Sequence, residues 1–171
     1  KPGKIITLVK CGGGVGATTL ATNIGYHLMR GKEQKRTAFK RKADIAPECR
    51  VAVFDFDIQF GTVNLSLNVD RKTDILDVRR AEDRLDASLL NATIRSHETG
   101  LKILPSPEDI VPFDAFSSDF FSELLAISKA MFDYVIIDMP QGWTDWTQTI
   151  FASSNLIVPV LTPSVENVQN A

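Results

Sequence analysis

The chain has 171 residues, of which 44% are apolar and 23% charged, with a formal net charge of −2. That length suits one domain with a proper core, and the composition is ordinary for a globular protein. The near-neutral balance gives no global pull toward nucleic acid or an anionic membrane.

The chain begins at Lys1 rather than Met and so reads as a segment of something longer. An apolar strand is predicted over Lys4 to Lys10. It runs into Cys11-Gly-Gly-Gly-Val-Gly-Ala-Thr-Thr19 and then a helical pattern from Thr18 to Arg30. Strand, glycine-rich loop and helix form the context in which a loop wraps a phosphate: glycines let the backbone approach an anion, and the helix start presents unpaired N–H groups. Leu20, Ile24 and Leu28 fall on one helix face, and Gly31 is expected to close the helix. Against the pattern G-x-x-x-x-G-K-[ST], Cys11 stands for the first Gly, Gly16 fits, Ala17 replaces the Lys and Thr18 fits. The Lys normally neutralises phosphate charge. The loop reads as built for a nucleotide but poorly armed to cleave one.

Lys32 to Lys42 is a basic cluster without apolar period. It reads as a solvated surface or as a docking patch for nucleic acid, acidic lipid or an acidic partner, with Phe39 too isolated to support base stacking. A buried parallel strand is predicted over Arg50 to Phe56, ending in Asp55 and Asp57, where open α/β sheets place ligands. A helix is predicted from Thr73 to His97, with the charges of Asp74, Asp77, Glu82, Asp83, Asp86, Arg79, Arg80 and Arg84 on a solvated face. Leu101 to Leu104 is a short strand stopped by Pro105 and Pro107, and a helix follows from Ser117 to Met131 with Phe120, Leu124 and Ile127 on the sheet.

Tyr134 to Asp138 is a second apolar strand ending in an acid, the usual place for orienting Mg²⁺ at a phosphate. Trp143 and Trp146 are spaced to share a helix face, either in the core or at a hinged interface. Leu156 to Leu161 reads as a buried strand, although Pro159 argues for an edge or a bulge. Thr162-Pro163-Ser164 is expected to cap a last helix. His27 and His97 have no acid or nucleophile at suggestive spacing. Cys11 and Cys49 show no C-x-x-C spacing, so neither a metal site nor a disulfide framework is indicated, and a reducing cytoplasm is the expected setting. No apolar run reaches the roughly 18 residues of a membrane span, and no signal peptide is visible. The alternation of strands and helices predicts an α/β fold, a parallel sheet with helices on both faces.

Gly13-Gly-Val-Gly-Ala-Thr-Thr19, Phe54-Asp-Phe-Asp-Ile-Gln-Phe-Gly61 and Asp133-Tyr-Val-Ile-Ile-Asp-Met-Pro140 together resemble the ParA/MinD family of deviant Walker ATPases. Leu101 to Pro105 and Leu161 to Ser164 extend the likeness over nearly the whole chain. The Ala in the loop, the Asp-Ile-Gln-Phe-Gly form and the Trp-containing loop after Asp138 look most like the CpaE/TadZ branch, which places Tad/Flp-type pilus machinery at the cell pole.

The resemblance implies a single P-loop domain over 1–171 from which the C-terminal part of the core is missing. It implies ATP or ADP with Mg²⁺ as cofactors, wrapped by Gly12, Gly13, Gly14, Val15, Gly16, Ala17, Thr18 and Thr19. Thr18 would ligate the metal, Asp55 support its shell and Asp138 act as the Walker B acid. Asp57 would orient the attacking water, and Pro163 would pass near the adenine. It further implies a homodimer across two nucleotides, pilus assembly components as partners, and a cytoplasmic protein at the pole or inner-membrane face, through regions outside this core. The family's signature Lys falls at Gly12 and the ordinary loop Lys at Ala17, so two cations are absent where polyphosphate charge is balanced. Asn155 stands where the family commonly has Asp. The first reading is therefore a nucleotide-binding scaffold with little hydrolysis. The second is a slow ATPase whose cation comes from elsewhere, Lys10 or the basic cluster. The third is a DNA-binding partition protein, which the net acidic chain disfavours.

Overall fold

A computed structural model describes residues 1–34, 49–81, 84–165 and 169. Six strands form one sheet in the order β3-β4-β2-β5-β1-β6. The strands are β1 Lys4–Lys10, β2 Val51–Asp55, β3 Arg95–Ser96, β4 Lys102–Leu104, β5 Tyr134–Asp138 and β6 Leu156–Val160. All pairings are parallel except β3 with β4. The helices are α1 Ala17–Gln34, α2 Val63–Ser66, α3 Ile75–Arg80, α4 Ala87–Thr93, α5 Ser118–Met131 and α6 Thr147–Ser153.

Alternate residues of the buried strands feed two cores, as a sheet covered on both faces requires. Ala52, Phe54, Val135 and Ile137 join the side of α3 to α6, with Phe120, Phe121 and Trp146. Val51, Val53 and Ile136 join the side of α1 and α2, with Ala21 and Val63. The predicted α/β sheet with helices on both faces is what is observed.

Several local expectations are corrected. Gly31 does not end α1, which runs on to Gln34. A mid-helix Gly costs about 1 kcal/mol against Ala, a penalty that the helix-forming Lys32-Glu-Gln that follow help to offset. The face of α1 nearest the sheet is made of small residues rather than Leu20, which is 38% exposed. A Cβ on Gly25 would stand 2.9 Å from Val53 Cγ2, so the backbone approaches there because no side chain intervenes. Ile24 and Leu28 are only partly buried beside that contact.

The single helix expected from Thr73 to His97 is instead α3, α4 and the strand β3. Of the acids assigned to a solvated face, Asp74, Asp77 and Asp86 are caps, while Glu82 and Asp83 lie outside the described residues. Asp74 accepts from the Leu76 N–H while Asp77 accepts from the Asp74 N–H, a capping box, and Asp86 accepts from Leu89 at the start of α4. After α4 the chain turns at Gly100, with φ of 91°, and β3 and β4 pair as a hairpin. Ser117 caps α5 by accepting from the Phe120 N–H.

Among the described residues β6 pairs only with β1 and is largely exposed, so there it is an edge strand and not a buried one; Pro159 occupies the position that proline tolerates. The cluster from Lys32 to Lys42 lies beyond the described residues from 35 on, and the last helix is described only at Val165 and Gln169.

Candidate phosphate-binding site

β1, β2 and β5 lie side by side, and their C-terminal ends meet at one place. Asp55 and Asp138 are register partners there, and Leu8 of β1 is the partner of Asp138 on the other side. The glycine loop leaves β1 at this point and folds back to start α1. Gly14 and Gly16 take φ of 68° and 84°, where L side chains are strained, so these two glycines are what the turn demands. A cavity of about 560 Å³ opens above the loop. Gly12 to Thr19 line it continuously, with Lys10, Asp57, Phe60, Phe113 and the Pro140–Gly142 segment. A larger cavity of about 670 Å³, lined by Tyr26, Arg50, Lys102 and Phe132 among others, lies at the opposite ends of the strands and contains no acid among its described lining.

Four side chains tie the loop to the strand ends. Thr18 Oγ1 donates to Asp138 Oδ2 over 2.5 Å. Lys10 Nζ donates to Asp57 Oδ2 at 2.8 Å and stands 3.4 Å from Asp138 Oδ2. Asp57 also accepts from the Phe60 N–H through Oδ1 at 3.2 Å, so both of its oxygens are engaged. Burial pushes Asp138 above the usual carboxylate range, although Lys10 and Thr18 pull it back. Burial also works against the Lys10 ammonium, but Asp138 and Asp57 outweigh it and hold Lys10 above the ordinary lysine value.

Asp55 has a different setting. Its carboxylate accepts from the N–H groups of Asp57 and Val63 at 3.2 and 3.0 Å, and it does not line the cavity. Complete burial, reinforced by the charge of Asp138, pushes it up to about 7 against the pull of the Val63 N–H and Lys10. Gly61 closes the same turn: a Cβ there would collide with Ser106 Oγ and stand 2.5 Å from Asp55 Oδ2. Asp55 thus shapes the segment that carries Asp57. Pro163 is exposed and does not line the cavity.

Trp143 and Trp146 do not share a helix face. Trp146 precedes α6, is buried among Phe56 and Phe121, and donates its indole N–H to the Phe113 carbonyl. Trp143 sits in the loop before it and is 77% exposed. Phe60, 73% exposed, and Phe113 border the cavity; Phe60 belongs to the Asp57–Gly61 stretch that carries the resemblance, but the sequence assigns neither residue a role in the site.

No protein-family model matches the chain. Over 168 residues it is 26% identical to an uncharacterized ATP-binding protein of Methanocaldococcus jannaschii, spanning 98% of this chain and 56% of that protein. It is similar in structure to a ParA family ATPase from Chlorobium tepidum, with a TM-score of 0.80 and 23% identity, over 98% of this chain and 64% of the other. The fold is that of the ParA/MinD P-loop proteins. The septum site-determining protein MinD of Pyrococcus horikoshii, solved with Mg-ADP, matches with a TM-score of 0.72 and 21% identity, over 98% of this chain and 61% of the other. The chain spans about half the length of the curated relatives it matches.

The residues of this site fit a nucleotide with a divalent cation. The loop offers backbone donors around an open cavity, and nothing lies within 4 Å of where a Cβ would stand on Gly14 or Gly16. Asp138 Oδ1 is buried without a hydrogen-bond partner, an oxygen with a lone pair to spare beside Thr18. Among the described residues no cluster of three His, Cys, Asp or Glu side chains could hold a metal ion. Mg²⁺ is commonly held through one or two carboxylates plus the phosphates it accompanies, and Asp138 beside Thr18 supplies protein oxygens of that kind.

Proposed function

We propose that the chain is the nucleotide-binding part of a ParA/MinD-like positioning protein, taking ATP or ADP with Mg²⁺ at Gly12 to Thr19. The observation that carries the reading is the junction of that loop with Thr18, Asp138, Asp57 and Lys10 above one cavity. Thr18 and Asp138 would hold the metal, whose chemistry is to neutralise charge on the phosphate oxygens. Asp57 would hold a water in line, and Asp55 keeps the Asp57 turn in shape from beneath. Gly12 and Ala17 present no charge to the phosphates, so hydrolysis is slow or absent and nucleotide acts as a switch rather than a fuel. As a working assignment the positioned cargo is Tad/Flp-type pilus machinery, with a homodimer as the active form at the cell pole. The support for that finer step is the Gly13–Thr19, Phe54–Gly61 and Asp138–Trp146 sequence likeness.

The test is calorimetric titration with Mg-ATP and Mg-ADP, with phosphate release followed on the same sample. Micromolar binding with negligible release is the expected result. Absence of binding at millimolar nucleotide would overturn the reading. Turnover that vanishes in Asp57→Ala would replace the switch with a slow ATPase, a second reading favoured by the cation that Lys10 brings to Asp57.

A further inference from the structure

The cavity holds an unusual balance of charge. Asp57 lines it and Asp138 stands at its floor behind Thr18, while the loop contributes only Gly12 and Ala17 where cations would offset a polyphosphate. Lys10 is the one cation among the described lining residues. Its side chain is 15% exposed, so most of its desolvation and ordering is complete before any ligand arrives. It leaves the last position of β1 and directly precedes the loop, which fixes its root while the four-carbon stem can still reorient its charge. Both acids near its Nζ have other bonds to rely on: Asp57 keeps the Phe60 N–H and Asp138 keeps Thr18.

We propose that Lys10 is the phosphate-neutralising cation of this site, parked on Asp57 and Asp138 until a polyphosphate arrives, and that its transfer to the phosphates frees both carboxylates. The inference rests on the nucleotide reading above and adds to it the residue that makes an uncharged loop workable. An ammonium has three donors, so Lys10 can take a phosphate oxygen before it releases both acids. Once released, Asp138 has Oδ1 for a cation while Oδ2 keeps Thr18, and Asp57 has Oδ2 for water while Oδ1 still holds the Phe60 turn. Arrival of nucleotide is thereby coupled to the 57–61 segment and its exposed Phe60.

The experiment measures Mg-ATP and Mg-ADP affinity by calorimetry for the wild type, Ala17→Lys, Lys10→Met, Lys10→Met with Ala17→Lys, and Asp57→Asn. Lys10→Met should weaken Mg-ATP binding by about tenfold or more, the value of one charged contact. Adding Ala17→Lys should recover most of that loss, because it restores a cation to the loop. Asp57→Asn should tighten binding several-fold, since Lys10 no longer has a full charge to leave, and this variant carries the test if Lys10→Met does not fold. Unchanged or tighter binding in Lys10→Met, or weaker binding in Asp57→Asn, would overturn the proposal while leaving the nucleotide reading intact. No binding by the wild type or by Ala17→Lys alone would sink both.

Discussion

The hydroxyl of Thr18 donates to Asp138 across 2.5 Å, joining the first turn of α1 to the end of a strand 120 residues away. Thr18→Ala removes the donor and leaves a buried carboxylate with Lys10 alone. A stability loss of about 1–3 kcal/mol is expected in denaturant melts, the cost of an unsatisfied buried acceptor. Mg²⁺ should also cease to strengthen nucleotide binding, and Thr18→Ser should restore both. A Thr18→Ala protein with wild-type stability and wild-type Mg²⁺ dependence would contradict this role.

Asp55 predicts a specific pH dependence. In the fold it holds its proton up to about 7, whereas its ordinary value is 3.8. Between those values the folded chain retains a proton that the unfolded chain has released. Stability is therefore greatest below the window and declines as pH rises through it, by up to about 1.4 kcal/mol per pH unit. Asp138 is raised by burial and acts in the same sense. Melting temperatures should fall from about pH 5 to about pH 7, with a shallower slope in Asp55→Asn. A flat wild-type profile would show that Asp55 is ionised throughout.

Gly61 is where it is because of space rather than backbone freedom. Gly61→Ala forces a methyl onto Ser106 and Asp55, both fully buried, so overpacking of about 1–3 kcal/mol is expected. Because Asp55 anchors the Asp57 turn, nucleotide affinity should fall with it, which calorimetry would read. Wild-type melting of Gly61→Ala would mean that the turn relaxes freely.

The two tryptophans separate structure from signal. Trp146→Ala empties a buried aromatic site and should cost about 3–5 kcal/mol. Trp143→Ala should lie within about 0.5 kcal/mol of wild type. Trp143 directly follows Gln141 and Gly142, which line the cavity, so its fluorescence should respond to Mg-ATP while that of Trp146 stays constant. An unchanged spectrum in a Trp146→Phe background would remove the coupling.

The strands of the site were legible in the sequence because their burial on both faces writes continuous apolar runs, as in Tyr134 to Asp138. The glycine loop was legible for the same kind of reason, since positive φ at Gly14 and Gly16 restricts the residue type. What escaped was set by geometry between distant segments. Asp74 and Asp86 look the same in sequence whether they face water or cap a helix, and only the turn at Gly100 reveals that the chain from 95 reverses as a hairpin. Trp143 and Trp146 match a helical spacing that the chain does not adopt. Lys10 was visible only as one of two sources for a missing cation; its ion pairs with Asp57 and Asp138 depend on strand order, which no local pattern encodes.

Pro159 has a consequence for assembly. Val160 turns its carbonyl toward β1, where it accepts from Cys11. Neighbouring residues of a strand point their backbone groups to opposite sides, so Pro159 faces the outer edge of β6 and offers it no N–H. That border of the sheet therefore advertises more acceptors than donors at its centre. Any strand that extends the sheet must bring its own donor to that spot or arrive in a register that skips it. Indiscriminate edge-to-edge stacking is thereby discouraged, and a correctly phased addition is selected.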